Sequence, residues 1–302
     1  MDQAETLLRI MKERQTEVNH GSQKGNTGPR IITVSSGKGG VGKTNLSTNL
    51  AICLAQMGKE VVVMDADLGL ANVNIMLGMI PKYNLYNVLK GQKTISEIIT
   101  DTPEGIKIIA GASGFSQLAD LNHEQKLNFV KDIEKLDFAD IVIVDTGAGI
   151  SDNVLSFIMA SNEAIIVTTP EPTAITDAYG IIKTIGSKKK DVDIQLVVNR
   201  VQSSFEGKKV AERVIKIASQ FLNMNVGNLG FIFEDPVVSK SVIMQRPFYS
   251  MDPKSKASRC IKDICLRLEQ LDVPQKKKGF AGFINSFFNY YKDQKNTGLD
   301  HE

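Results

Sequence analysis

The feature that most constrains this chain is a glycine-rich loop placed between an apolar strand and a helix. The loop has the sequence SGKGGVGKT from Ser36 to Thr44, and it follows the apolar residues 31–34. Apolar residues then recur at helical spacing until Gly58 ends the segment. Glycines allow several backbone N–H groups to face one anion, and the start of a helix adds partial positive charge. The loop therefore predicts a site for the phosphates of a nucleotide.

The side chains of the loop suit phosphoryl transfer. We expect Lys43 to reach the β- and γ-phosphates, and Thr44 to bind Mg²⁺ directly through its hydroxyl group. Lys38 is a second lysine within the loop, and with Lys43 and Mg²⁺ it would neutralise charge during the reaction. The residues of the loop that we predict to contact the nucleotide are Gly37, Gly39, Gly40, Val41, Gly42, Lys43, Thr44 and Asn45.

Acidic residues follow two of the apolar runs. Asp65 and Asp67 come after the run at 60–64, and Asp145 ends the run at 141–144 in the Walker B pattern. The carboxyl ends of parallel strands meet at the ligand edge of a sheet. We predict that Asp145 holds Mg²⁺ through a water molecule, that Asp65 belongs to the outer shell of the metal, and that Asp67 orients the attacking water.

Strand-like and helix-like segments alternate over the greater part of the chain. This alternation predicts an α/β fold, with a mostly parallel twisted sheet covered by helices on both faces. The 302 residues, 42% hydrophobic and 23% charged, suit one large domain with appendages. We divide the chain into an N-terminal helix at 1–18, a flexible linker at 19–29, the main domain at 30–273, and a basic linker with an amphipathic helix at 274–302.

Composition restricts the remaining chemistry. The net charge of +2 argues neither for nor against nucleic acid, but aromatic residues are few, so we expect no nucleic-acid partner. The three cysteines lack the paired spacing of a metal site, and we expect them to be buried. No signal peptide and no apolar run of membrane-spanning length is visible, which predicts a cytosolic protein.

Each end of the chain allows two interpretations. The helix at 1–18 is either a frayed terminus or a segment that binds a partner. The tail has a basic triplet at 276–278, followed by apolar residues at the spacing of one helical face. Such a helix either packs on the core or lies in the surface of an anionic membrane, and we favour the membrane. Its affinity alone would be weak, so binding would need the two copies of a dimer. The residues on this face are Phe280, Phe283, Ile284, Phe287, Phe288 and Tyr291.

The loop KGGVGKT resembles the deviant Walker A form of the MinD and ParA family of P-loop ATPases. The resemblance implies an ATP-dependent homodimer in which Lys38 reaches the nucleotide of the partner, and which hydrolysis releases. The segments DADLGLAN and IVDTGAGI resemble the two switch regions of that family. By the same resemblance, Glu171 contacts nucleotide across the dimer and Asp177 takes part in switching. The adenine would be held by Asn199 and Arg200 on one side and by Asp235 and Pro236 on the other.

The ends of the chain resemble one branch of this family. The N-terminal sequence DQAETLLR resembles the activation helix of the FlhG family, also called YlxH or FleN, which are flagellar-number ATPases. This resemblance implies stimulation of the GTPase FlhF through Gln3, supported by Asp2 and Arg9. It also implies flagellar C-ring components as partners and binding to the inner face of the cell membrane in the ATP state. The alternatives are a MinD-type cell-division regulator and a ParA-type partitioning ATPase that binds DNA.

Overall fold

The computed structural model describes residues 28–67, 72–111, 123–161, 163–188, 192–271 and 279–298, except for the side chains of 123–124 and 291–298. Within these residues the core is an eight-stranded sheet. The strands are β1 (Arg30–Ser36), β2 (Val61–Ala66), β3 (Ile99–Asp101), β4 (Lys107–Ile109), β5 (Ile141–Ala148), β6 (Glu163–Thr168), β7 (Asp193–Val201) and β8 (Val226–Phe233).

The strand order places the glycine-rich loop at the centre of the sheet. The order is β3-β4-β2-β5-β1-β6-β7-β8, and every neighbouring pair is parallel except β3 with β4. The chain moves outward in both directions from β1, so the carboxyl end of β1 is the topological switch point at which such sheets bind ligands. In the register of β2 and β5, Asp65 lies opposite Asp145.

Helices cover both faces of the sheet, as the sequence predicts. They are α1 (Lys43–Gln56), α2 (Val73–Met76), α3 (Leu85–Leu89), α4 (Ile95–Ile98), α5 (His123–Ile133), α6 (Asp152–Ala160), α7 (Pro172–Lys188), α8 (Ser204–Leu222), α9 (Pro236–Ile243), α10 (Phe248–Met251), α11 (Lys256–Gln270) and α12 (Gly279–Gly298). A 3₁₀ turn at Glu134–Leu136 extends α5.

Alternate residues of β2 belong to different hydrophobic clusters, which defines the two layers. Val61 and Val63 pack with residues of α1 and α11 on one face. Val62 and Met64 pack with residues of α3 to α6 and α12 on the other face. This period of two is the normal consequence of strand geometry, and it confirms the predicted three-layer α/β architecture.

The C-terminal helix α12 packs on the main domain and adds to its core. Phe280, Ile284 and Phe287 have no exposed surface, and Phe283 is 1% exposed. The Phe157 ring of α6 stacks against Phe283 and Phe287, with ring centroids 6.2 Å and 4.7 Å away. For residues 279–298 the structure thus corresponds to the core-packed alternative, and the division of the chain at 274 stays a prediction.

No helix among the described residues is both long enough and apolar enough to cross a membrane. Cys53, Cys260 and Cys265 are buried and unpaired, as the sequence predicts.

Candidate functional site

The glycine-rich loop joins β1 to α1 and depends on glycine at specific places. Gly40 and Gly42 have φ angles of 77° and 97°, a region that side chains other than glycine rarely adopt. A methyl group at Gly37 would lie 2.2 Å from the Asp177 carbonyl oxygen of α7, so the loop and this helix approach closely. Gly42 is the N-cap of α1, and Lys43 begins the helix. The loop therefore has the backbone that a phosphate cradle needs.

Asp145 lies in the second half of β5, directly beside the first turn of α1. The Thr44 hydroxyl donates to its Oδ2 at 2.7 Å, and the Ser47 hydroxyl donates to its Oδ1 at 2.8 Å. Burial, together with the neighbouring Asp65 carboxylate, raises the pKa of Asp145 to about 7. Ser47 was not among the predicted site residues, although it lies three positions after Thr44 and therefore on the same side of α1.

The Thr44 and Asp145 oxygens are the donor set that Mg²⁺ prefers. The pKa of Asp145 stays raised even though Lys43, Thr44 and Ser47 all act to lower it, so its negative charge is incompletely balanced. A cation beside Thr44 and Asp145 would complete that balance. These two residues would hold Mg²⁺, which would supply charge neutralisation to the phosphates.

The Asp65 carboxylate binds the backbone of the segment that follows β2. Its carboxylate accepts hydrogen bonds from the backbone N–H groups of Asp67, Asn72 and Val73, at 3.1, 2.7 and 3.1 Å. Asp65 thus binds the backbone at both ends of the segment between β2 and α2, which is the predicted first switch region. Its role in the outer shell of the metal stays a prediction.

Asp67 belongs to the first predicted switch region and lies against the second. A methyl group at Gly147 would be 3.4 Å from Asp67 Oδ1, which places the carboxylate against the end of β5. The Gly149 N–H donates to the Ser36 carbonyl at 2.9 Å, so this second region also touches the glycine-rich loop. The helix α6 begins immediately afterwards, with Ser151 as its N-cap. One short segment therefore joins the glycine-rich loop to α6.

Lys38 is engaged within its own chain. Its Nζ lies 2.8 Å from Glu171 Oε2 and 2.9 Å from the Thr173 hydroxyl at the start of α7. The hydrogen bond from Lys38 lowers the pKa of Glu171. The side chains of Lys38 and Glu171 are 39% and 55% exposed, so this ion pair is weak and easily exchanged.

The predicted adenine residues lie at the ends of β7 and β8. Asn199 Nδ2 donates to the Val41 carbonyl of the glycine-rich loop at 2.7 Å. Arg200 follows it with a φ of 58°, in the left-handed region. Asp235 caps α9 by accepting from the Val237 N–H at 3.1 Å, and Pro236 is the first residue of that helix. Contact with adenine stays a prediction for all four predicted residues.

The predicted terminal sites are only partly described. Phe280, Phe283, Ile284, Phe287 and Phe288 form the buried face of α12, and Phe288 is 9% exposed. Tyr291 belongs to α12, but its side chain lies outside the described residues. Asp2, Gln3 and Arg9 also lie outside them.

The chain is similar to several known proteins over most of its length. A family model described as "AAA domain" matches residues 29–198. The antiactivator FleN of Pseudomonas aeruginosa is 36% identical over 256 residues, which cover 84% of this chain and 91% of FleN. The flagellum site-determining protein YlxH of Helicobacter pylori is 37% identical over 275 residues, which cover 88% of this chain and 92% of YlxH.

The solved structures give the same architecture. The septum site-determining protein MinD from Pyrococcus horikoshii, complexed with Mg-ADP, superposes with a TM-score of 0.64 at 28% identity. The match covers 80% of this chain and 96% of that protein. That structure contains Mg-ADP, and a nucleotide with a metal ion is the kind of ligand that the loop, Thr44 and Asp145 of this chain suit.

Proposed function

Because the chain belongs to the family of FleN and YlxH, which have the fold of MinD-like P-loop ATPases, we propose that it is a slowly hydrolysing ATPase whose ATP-bound dimer regulates the number and placement of flagella. The observation that carries this proposal is the hydrogen bond from Thr44 to Asp145 near Lys43, in a loop that also contains Lys38. The first three residues suit ATP binding with Mg²⁺, and Lys38 suits a contact between two subunits.

The side chains of the site would divide the work of hydrolysis. Lys43 would hold the β- and γ-phosphates, and Thr44 and Asp145 would hold Mg²⁺. Asp67 would orient the water that attacks the γ-phosphoryl group, with ADP and phosphate as products. Phosphoryl transfer depends mainly on positioning and charge neutralisation, and the second lysine of the loop would supply additional positive charge.

We propose that Lys38 changes its partner when ATP is bound. Its ion pair with Glu171 is exposed and therefore contributes little stability. The phosphates of a nucleotide in a second subunit carry more negative charge than one carboxylate, so they would compete for Lys38 effectively. ATP would then hold two subunits together, and hydrolysis would release them.

Membrane binding would require α12 to detach from the main domain. The apolar face that would enter the membrane is the face that packs against Phe157 of α6. Because α6 follows the segment that ends β5, a rearrangement of this segment in the dimer would act on the helix that holds α12. The two released helices of a dimer would then bind an anionic bilayer at the inner face of the cell membrane more tightly than one helix alone.

The N-terminal segment would provide the second output. We propose that Gln3, with Asp2 and Arg9, stimulates the GTPase FlhF, and that flagellar C-ring components bind elsewhere on the protein. This part rests on the resemblance of DQAETLLR to the activation helix of the family. A FlhF hydrolysis assay with the Gln3→Ala protein tests it, and unchanged stimulation would contradict it.

ATP hydrolysis tests the central part of the proposal. We expect Lys43→Ala and Lys38→Ala each to lower phosphate release by about a hundredfold, since each removes positive charge from the transition state. The matched control is Lys240→Ala, a lysine on α9 outside the loop. Full activity in the Lys38→Ala protein would contradict a nucleotide site that is shared between two subunits. Full activity in both variants would contradict the ATPase assignment.

Sedimentation with vesicles of phosphatidylglycerol and phosphatidylcholine tests the membrane part. We expect the full chain to sediment with ATP and Mg²⁺ but not with ADP. Replacing Lys276, Lys277 and Lys278 by glutamine should weaken binding to the vesicles by about a hundredfold, since each basic residue near an anionic surface contributes about 1 kcal/mol. Equal sedimentation with both nucleotides would contradict a nucleotide-controlled membrane switch.

A further inference from the structure

Asn199 connects the end of β7 to a loop that lies 158 residues earlier in the chain. Its Nδ2 donates to the Val41 carbonyl at 2.7 Å, and its Oδ1 accepts from the Arg200 N–H at 2.9 Å. These two bonds define which end of the amide is nitrogen and which is oxygen. In a reversed amide the oxygen would face the Val41 carbonyl and the NH₂ group would face the Arg200 N–H, so neither hydrogen bond could form. The side chain is therefore held in one orientation before any nucleotide binds.

The same amide lies closely over the start of α1. A methyl group at Gly42 would be 2.3 Å from Asn199 Nδ2, and Gly42 is the N-cap of that helix at a φ of 97°. Val41, whose carbonyl accepts the bond, is 3% exposed. A buried carbonyl that lost this donor would remain unsatisfied or would rotate toward another partner. Such a rotation would move the peptide unit between Val41 and Gly42, within the phosphate cradle.

From this geometry we propose that Asn199 is a positioning residue that holds the phosphate loop in its binding conformation, independently of any contact with the base. The inference deepens the proposed ATP site and rests on it. An amide nitrogen has two N–H groups, and the bond to Val41 uses one of them. One residue would thus support the phosphate loop and still have a donor for the base at the edge where Arg200 lies.

A ligand without a base separates these two roles. Inorganic tripolyphosphate carries the phosphates of ATP but has no adenine, so it reports on the loop alone. The assay is displacement of a fluorescent ADP analogue by ADP and by tripolyphosphate, both with Mg²⁺. It uses the wild-type chain, Asn199→Ala and Asn199→Asp. The control variant is Asn228→Ala, an exposed asparagine on β8.

We expect both substitutions of Asn199 to weaken tripolyphosphate binding by about tenfold, the effect of losing one hydrogen bond to a buried group. Asn199→Asp should be at least as weak as Asn199→Ala, because a carboxylate oxygen would face the Val41 carbonyl. Asn228→Ala should bind both ligands normally. If tripolyphosphate binding were unchanged while ADP binding fell, Asn199 would be a base contact only, and the proposal would be overturned.

Hydrogen exchange separates a local effect on the loop from a general loss of structure. In the nucleotide-free Asn199→Asp protein, we expect faster exchange in peptides that cover 37–47 and normal exchange in peptides from α11. Faster exchange throughout the chain would overturn the proposal, because Asn199 would then stabilise the whole fold. Failure of the wild-type chain to bind ADP would contradict the proposed function itself, whereas normal ADP binding with an unaffected loop would contradict only this inference.

Discussion

At the scale of single residues, the chemistry of the site depends on how one buried carboxylate is held. Asp145 has hydroxyl donors on both oxygens, Thr44 on one and Ser47 on the other. The Ser47 bond fixes the rotation of the carboxylate, so that Oδ2 remains directed at Thr44. Since both residues are on α1, the helix that follows the phosphate loop also aligns the predicted metal ligand.

Ser47→Ala is expected to lower ATP hydrolysis by about tenfold, because the Asp145 carboxylate would lose a donor that orients it. The measurement is phosphate release with saturating ATP over a range of Mg²⁺ concentrations. The matched control is Ser161→Ala, a buried serine whose hydroxyl donates to the Ile158 carbonyl at 2.8 Å, outside the site. Equal rates in the two variants would show that Ser47 has no orienting role.

Gly37→Ala should destabilise the nucleotide-free protein by about 2–4 kcal/mol, because the new methyl group would overlap the Asp177 carbonyl oxygen. Gly39→Ala is the control within the same loop, where a methyl group would meet only the Ala148 side chain at 3.9 Å. Urea unfolding measures both free energies. Similar values for the two variants would contradict the tight contact between the loop and α7.

The sequence predicted the phosphate loop and Asp145 because each belongs to a local pattern with a known place on the fold. It missed the bond between Asn199 and Val41, since a contact across 158 residues has no local pattern. It placed Asp65 at the ligand edge of the sheet but missed the bonds from three backbone N–H groups to its carboxylate. These bonds were missed because strand position gives the edge of the sheet but not the direction of a side chain.

At the scale of elements, the alternation of strands and helices was enough to predict the parallel sheet and its two helical layers. The short strand β3 was not predicted, because three residues at an edge carry no clear period and form a strand only by pairing with β4. The helices α4, α6, α9 and α10 were also missed, since none of them is longer than nine residues. The amphipathic pattern of α12 predicted a helix correctly, but the same pattern suits a membrane surface and a protein groove equally well.

Phe157→Leu is expected to loosen the packing of α12, because Phe157 provides the ring that contacts both Phe283 and Phe287. A loss of about 1.4 kcal/mol would raise the population of undocked helix by about tenfold. Vesicle sedimentation with ADP should then increase by a similar factor. Phe248→Leu is the control, a buried phenylalanine in the opposite layer. An equal increase in both variants would attribute the effect to general destabilisation.

At the scale of the whole molecule, the glycine-rich loop contacts two regions that the proposal uses, the start of α7 and the segment that leads to α6. Lys38 pairs with the start of α7, and the segment after β5 touches the loop through the Gly149 N–H before it continues into α6. The helix α6 in turn holds α12. Under the proposed function, binding of ATP would act on the dimer surface through Lys38 and on the C-terminal helix through α6.

The most direct test of this account is the mass of the Asp67→Ala protein in solution, measured by light scattering during gel filtration. With ATP and Mg²⁺ we expect about twice the chain mass of 33.1 kDa, because the dimer forms but the attacking water is not oriented. With ADP, and with ATP when Lys38→Ala is added, we expect the single-chain mass. A single-chain mass for Asp67→Ala with ATP, or a dimer that persists without Lys38, would contradict the claim that this lysine makes ATP the dimerisation signal.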